Sequence, residues 1–175
     1  MKGLIPYGGF QIGAGSGTQG LTTTAAVVGW TALGATATDT TSGDPAVKPD
    51  LANNRILLGP GTYEIDVQIQ GTIDGAQIIG LQLRKNAVAI SGTLRNQSWA
   101  VSTAENVSNL KAVITILDSD IPGTIPTFSD PSATSFTGAG GAPKNEVPVD
   151  VTIVSGAGTP TVTVKNALFF AKRIG

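Results

Sequence analysis

Thr62-Tyr63-Glu64-Ile65-Asp66-Val67-Gln68-Ile69-Gln70 decides the fold class of this 175-residue chain. Tyr63, Ile65, Val67 and Ile69 fall on one side of an extended backbone, and Glu64, Asp66, Gln68 and Gln70 on the other. Side chains alternate faces along a strand, so the stretch is a strand with one dry face and one wet face. Gly59-Pro60-Gly61 launches it as a turn. The dry face must be covered, and the flanking sequence supplies further strands to cover it.

Toward the C-terminus, Asp74-Gly75 is a hairpin-turn signal, and residues 76–85 form the return strand, with Ile79, Leu81 and Leu83 on one face and Gln82 and Arg84 on the other. Lys85-Asn86 begins another turn, and residues 87–90 resume extended structure. A strand with Trp99 and Val101 follows within residues 96–105. Residues 110–117 carry apolar groups on both faces, Ala112, Ile114 and Ile116 opposite Val113 and Leu117, which predicts cover on both sides. Residues 118–144 are rich in Pro, Gly, Ser and Thr and read as a surface excursion that touches a neighbour. Residues 147–154 are a strand with Pro148 near its start or on an edge. Residues 161–164 and 167–171 close the chain. Phe169 and Phe170 are neighbours and point to opposite faces, so one fills the core and the other needs a second cover, a loop or another subunit.

Toward the N-terminus, residues 53–58 are a strand and residues 36–50 a polar loop containing Asp39, Asp44 and Asp50. Residues 25–33 read as the first strand of the domain, with Val28, Trp30 and Ala32 on one face and Trp30 as a core or interface filler. Residues 1–24 read as a flexible Gly-rich arm whose sizeable apolar groups are Leu4, Ile5, Tyr7, Phe10 and Ile12. Two readings of it stand open: an arm that docks on a partner and orders there, or a segment lying on its own domain or fraying from it. The division is therefore an arm over 1–24 and one antiparallel all-β sandwich over 25–175.

Composition agrees. The chain is 41% hydrophobic, enough for a core, and 13% charged, about half the usual share. It has 23 Gly and 10 Pro among many Thr and Val, the mixture of turns and strand formers of an all-β class. A net charge of -1 gives no basic face for nucleic acid. No apolar run approaches the roughly 18 residues of a membrane-spanning helix, and Tyr7-Gly8-Gly9 interrupts any apolar core of a secretory signal. Neither a nucleic acid nor a membrane partner is expected.

The residue types that carry most chemistry are absent. The chain has no Cys and no His, which removes thiolate and imidazole ligands and the commonest general base. Glu64 and Asp66, and likewise Asp118 and Asp120, have the two-residue spacing of hydrated charges, weighed here against a glycosidase pair. Gly15-Ser16-Gly17-Thr18-Gln19-Gly20 matches GxGxxG but is followed by Leu21-Thr22-Thr23-Thr24, poor helix formers, so it lacks the helix that gives the pattern meaning. Asp39, Asp44 and Asp50 have oxygens suited to calcium but match no known loop spacing. No catalytic residue, cofactor or metal is expected.

Asn54-Arg55-Ile56-Leu57-Leu58, Gly61-Thr62-Tyr63-Glu64-Ile65, Leu81-Gln82-Leu83-Arg84-Lys85-Asn86 and the closing Lys172-Arg173-Ile174-Gly175 carry a resemblance. Over residues 25–175 the chain resembles the jelly-roll domain shared by tumour necrosis factor and the globular heads of complement, of which phage and bacterial proteins carry versions. It departs from that family in having few aromatics, 5% of residues, and no counterpart of a late Gly-Asp strand entry. The resemblance implies a non-enzymatic homotrimer. With the apolar leader and low charge, the chain looks like a phage capsid decoration, or cement, protein on the outer surface of the head, bound to the major capsid protein. In that expectation Leu4, Ile5, Tyr7, Phe10 and Ile12 touch the shell, and Trp30, Phe169 and Phe170 lie at the subunit interface. A receptor-binding tip of a phage tail fibre or spike and a carbohydrate-binding module or glycosidase are the alternatives.

Overall fold

The alternation that marks residues 62–70 runs through most of the chain and produces two antiparallel sheets packed face to face, a jelly-roll sandwich. The structure, a computed structural model, describes residues 7–13, 17–39, 46–101, 105–121 and 146–175. The described strands are β1 (Tyr7–Ile12), β2 (Gly17–Gly20), β3 (Ala26–Val27), β4 (Thr36–Asp39), β5 (Val47–Asp50), β6 (Arg55–Leu58), β7 (Gly61–Ile73), β8 (Gln77–Lys85), β9 (Val88–Ala89), β10 (Arg95–Trp99), β11 (Asn106–Ile116), β12 (Val147–Ser155) and β13 (Thr161–Arg173). Among the described residues, helix is limited to short 3-10 turns at Leu51–Asn53 and Asp118–Asp120. Sheet 1 runs β11-β7-β13-β1-β4, with β2 also on β13; sheet 2 runs β10-β8-β12-β6-β5, with β9 on β8 and β3 on β12.

The organising strand β7 buries Tyr63, Ile65, Val67 and Ile69, as its pattern requires. These meet Ile79, Leu81 and Leu83 of β8 and Val149, Val151 and Ile153 of β12 in one core. Phe10, Trp30 and Phe169 form an aromatic cluster in that core, with ring centroids 5.9 to 6.0 Å apart. Polar contacts join the sheets at their margins. The Tyr63 hydroxyl donates between the carbonyls of Ala46 at 2.9 Å and Gly59 at 2.8 Å, and Trp99 Nε1 donates to Ser108 Oγ at 2.8 Å.

Several expectations are corrected. Asp74-Gly75 does not make a hairpin: β7 is already flanked by β11 and β13, so β8 has no free edge to join and the turn carries the chain into the other sheet. Asp74 holds that crossing by accepting from the Thr161 amide at 2.8 Å. Residues 25–33 form only the short β3. Beyond it, Leu33 N donates to Gly29 O and Ala35 N to Trp30 O, a local turn that points Trp30 into the core from outside a strand. The loop expected over 36–50 contains β4 and β5. The strand at 110–117 is an edge strand, 106–116, with one face in solvent: Val113 is 65% exposed. The two closing runs are one strand, β13, with an irregularity between Val164 and Asn166.

The leader divides. Residues 7–12 are β1, inserted between β13 and β4, and residues 17–20 are β2 on β13. The sandwich therefore begins by Tyr7 rather than at residue 25. Phe10 and Ile12 alternate inward as sheet residues do, and burying them here satisfies the apolar groups that suggested a docking arm. Leu4, Ile5, Gly15, Ser16, Asp44 and residues 122–145 of the long excursion lie outside the described residues.

Candidate assembly surface

The outer face of sheet 1 can be read row by row, because directly paired residues of antiparallel strands point the same way. One row crosses the sheet as Thr38, Gly9, Phe170, Asp66 and Lys111. On one side of it lie Thr36, Gln11, Leu168, Gln68 and Asn109. On the other lie Tyr7, Lys172, Glu64 and Val113. Phe170 and Leu168 are half-buried, while Tyr7 is 41% exposed. Leu168 and Phe170 are thus neighbours along β13, with Tyr7 diagonal to Phe170 on β1, whereas Val113 lies on the edge strand β11 beyond Glu64 and Asp66.

Gly9 is what lets Phe170 lie as it does. A methyl group on Gly9 would stand 2.0 Å from the Phe169 carbonyl oxygen, so only glycine admits β1 this close to β13. The ring of Phe170 then has no side chain beside it on the β1 side. Glu64 and Asp66 occupy the wet face of β7 as the alternation predicts. Asp66 forms an ion pair with Lys111 at 3.1 Å, exposed enough to contribute little to stability.

The outer face of sheet 2 is built differently. Arg84 grips Asp150 with two hydrogen bonds, 2.7 and 2.9 Å, and Arg55 meets Asp50 at 2.8 Å. The hydrogen bond to Asp150 raises the Arg84 guanidinium above its ordinary value against the opposing effect of burial. The ion pairs occupy one part of the face; another part, around Gly80, carries the exposed Ile78 and Leu94 beside Val154. Away from that face, on the inward register of β8, Lys85 pairs with Asp120 at 2.7 Å, so the carboxylates noted at 118–120 include one that anchors the β8–β9 hairpin.

The predicted interface residues separate on this geometry. Trp30 and Phe169 are fully buried in the chain's own core, which corrects their assignment to a subunit contact. Phe170 remains on the outer face of sheet 1, beside Tyr7. The GxGxxG stretch ends in β2, a strand paired with β13, and Gln19 of that strand bonds the backbone of Val27 and Gly29. Asp50 is engaged by Arg55 and Asn53. Among the described residues there is no group of three or more carboxylates suited to a metal. Sequence reasoning missed Leu168, which alternation along β13 places beside Phe170 on the outer face. It also missed Glu146, an acidic residue 3% exposed at the entry to β12.

No protein-family model matches the sequence, and no curated protein matches it. Solved structures do. The chain is similar to the Eiger TNF from S. frugiperda, with a TM-score of 0.53 and 10% identity over 98% of this chain and 94% of that one. It is also similar to the PRD1 vertex protein P5, with a TM-score of 0.52 and 11% identity over 99% of both chains. At these identities the likeness is one of fold, a jelly-roll sandwich.

Proposed function

We propose that this chain is a structural virion protein: a homotrimeric decoration protein that binds the major capsid protein on the outer surface of a phage head and stabilises the shell by contact. The observation that carries the reading is the apolar group on the outer face of sheet 1. Leu168 and Phe170 stand next to each other on that face at the middle of the sheet, with Tyr7 diagonal to Phe170 on β1. A copy of this chain covering that face removes each of these side chains from water, worth up to roughly 1.5–3 kcal/mol for a fully buried one. Support for the virion setting comes from the end-to-end fold likeness to a vertex protein, and from a surface low in charge.

The mechanism is contact rather than catalysis. Copies join through sheet 1, and residues 1–6, with Leu4 and Ile5, reach the shell from the start of β1. Sedimentation equilibrium of the purified chain tests the assembly, with three copies expected; a monomer across micromolar concentrations overturns it. Cosedimentation with empty phage heads tests the partner. A trimer that fails to pellet with heads removes the decoration role while leaving the assembly intact.

A further inference from the structure

We propose that Glu146 makes the joint between β12, β6 and β5 proton-sensitive, so that this end of the sandwich tightens in acid and loosens toward neutral pH. Glu146 stands immediately before β12, where Val147 pairs with Leu58 and Leu58 pairs in turn with Val47. Lys48 and Pro148 both pair with Leu57, so they share the outer face of sheet 2; Glu146, two residues before Pro148, belongs to the same face. It is nevertheless 3% exposed, and its Oε2 atom meets no hydrogen-bond partner. A buried carboxylate with an unpartnered oxygen is costly when ionised and tolerable when protonated.

Among the described residues, the charges that bear on it most are those of β5. On β5, Lys48 attracts the carboxylate and Asp50 repels it. Arg55 of β6 is held by Asp50 at 2.8 Å. The Tyr63 hydroxyl of β7 is directed to the carbonyls of Ala46 and Gly59. A proton is the one cation that needs no cavity. Burial pushes the Glu146 carboxyl above the usual glutamate range; Lys48 pulls it part of the way back and Asp50 adds to the rise. The folded chain then holds this proton more tightly than the unfolded chain does. Its contribution to stability is complete below the unfolded value of about 4.3 and is lost as pH rises through the folded value.

The test is thermal unfolding of wild type, Glu146→Gln and Lys48→Met from pH 4 to pH 8 at one protein concentration. Glu146→Gln is expected to melt with wild type at pH 4 and about 2–4 °C above it at pH 8. Lys48→Met removes the attraction that pulls the carboxyl down, so the pH midpoint of that melting difference is expected to shift upward. Carbon NMR of the wild-type Glu146 carboxyl reads the same titration without any substitution. A wild-type midpoint at or below the ordinary glutamate value, or a melting difference that stays constant across the range, overturns the proposal.

Discussion

Ala87 sits at φ 63° beside Asn86 at φ 51°, and the pair closes a two-residue hairpin between Lys85 and Val88. Both central residues of such a turn need positive φ, which asparagine accepts and alanine resists. Ala87→Gly should therefore stabilise the chain by roughly 0.5–1 kcal/mol, the relieved strain being partly offset by a freer unfolded chain; a rise in the urea midpoint at unchanged slope checks it. On the neighbouring 3-10 turn, burial disfavours the ionised Asp120 carboxyl. Lys85 and the Leu117 amide outweigh that and hold it below the ordinary range. Its contribution is present above the unfolded value near pH 4 and is lost as pH falls through the folded value. Asp120→Asn should cost about 0.5–1 kcal/mol at pH 7 and less in strong acid, read from urea titrations at both pH values. Glu146 and Asp120 thus push the stability curve in opposite directions.

At the scale of elements, β13 organises sheet 1. It pairs with β7 along one edge and, along the other, with β2 at its start and then with β1. Gly9→Ala forces β1 and β13 apart and should destabilise by about 1–3 kcal/mol. Hydrogen exchange should show amides of β1 and β4 losing protection before those of β7 and β11. Phe169, packed on Phe10 and Trp30, should lose about 3–5 kcal/mol on replacement by Ala. Its neighbour Phe170 should lose far less in the isolated chain, because the outer face leaves it half-covered. That these adjacent phenylalanines face opposite ways was legible in the sequence; that the inward one is Phe169 follows from its register with Phe10 and Val67.

For the whole molecule, Phe170→Asp places a charge in the row between Gly9 and Asp66, where a copy of the chain is proposed to pack. Sedimentation should shift from trimer to monomer while the circular dichroism of the sandwich is unchanged; a Phe170→Asp chain that remains trimeric removes sheet 1 as the contact. Deletion of residues 1–6 should leave the trimer intact and abolish binding to heads. Deletion of residues 1–24 removes β1 and β2, and with them Phe10 and Ile12, so it should unfold the chain rather than report on an arm.

Alternation is a local property, and for that reason the strands at β7, β8 and β12, the all-β class and the wet placement of Glu64 and Asp66 could be read residue by residue. Which strands become neighbours depends on contacts between distant residues, and the local pattern is the same whichever partner is chosen. Folding alone therefore turned Asp74-Gly75 into a crossing between sheets and drew Tyr7–Ile12 in between β13 and β4. It also sent Trp30 to the core from a turn and shut Glu146 away from water beside Lys48 and Asp50. Each of these follows from edges being filled in three dimensions, a competition that no short window of sequence contains.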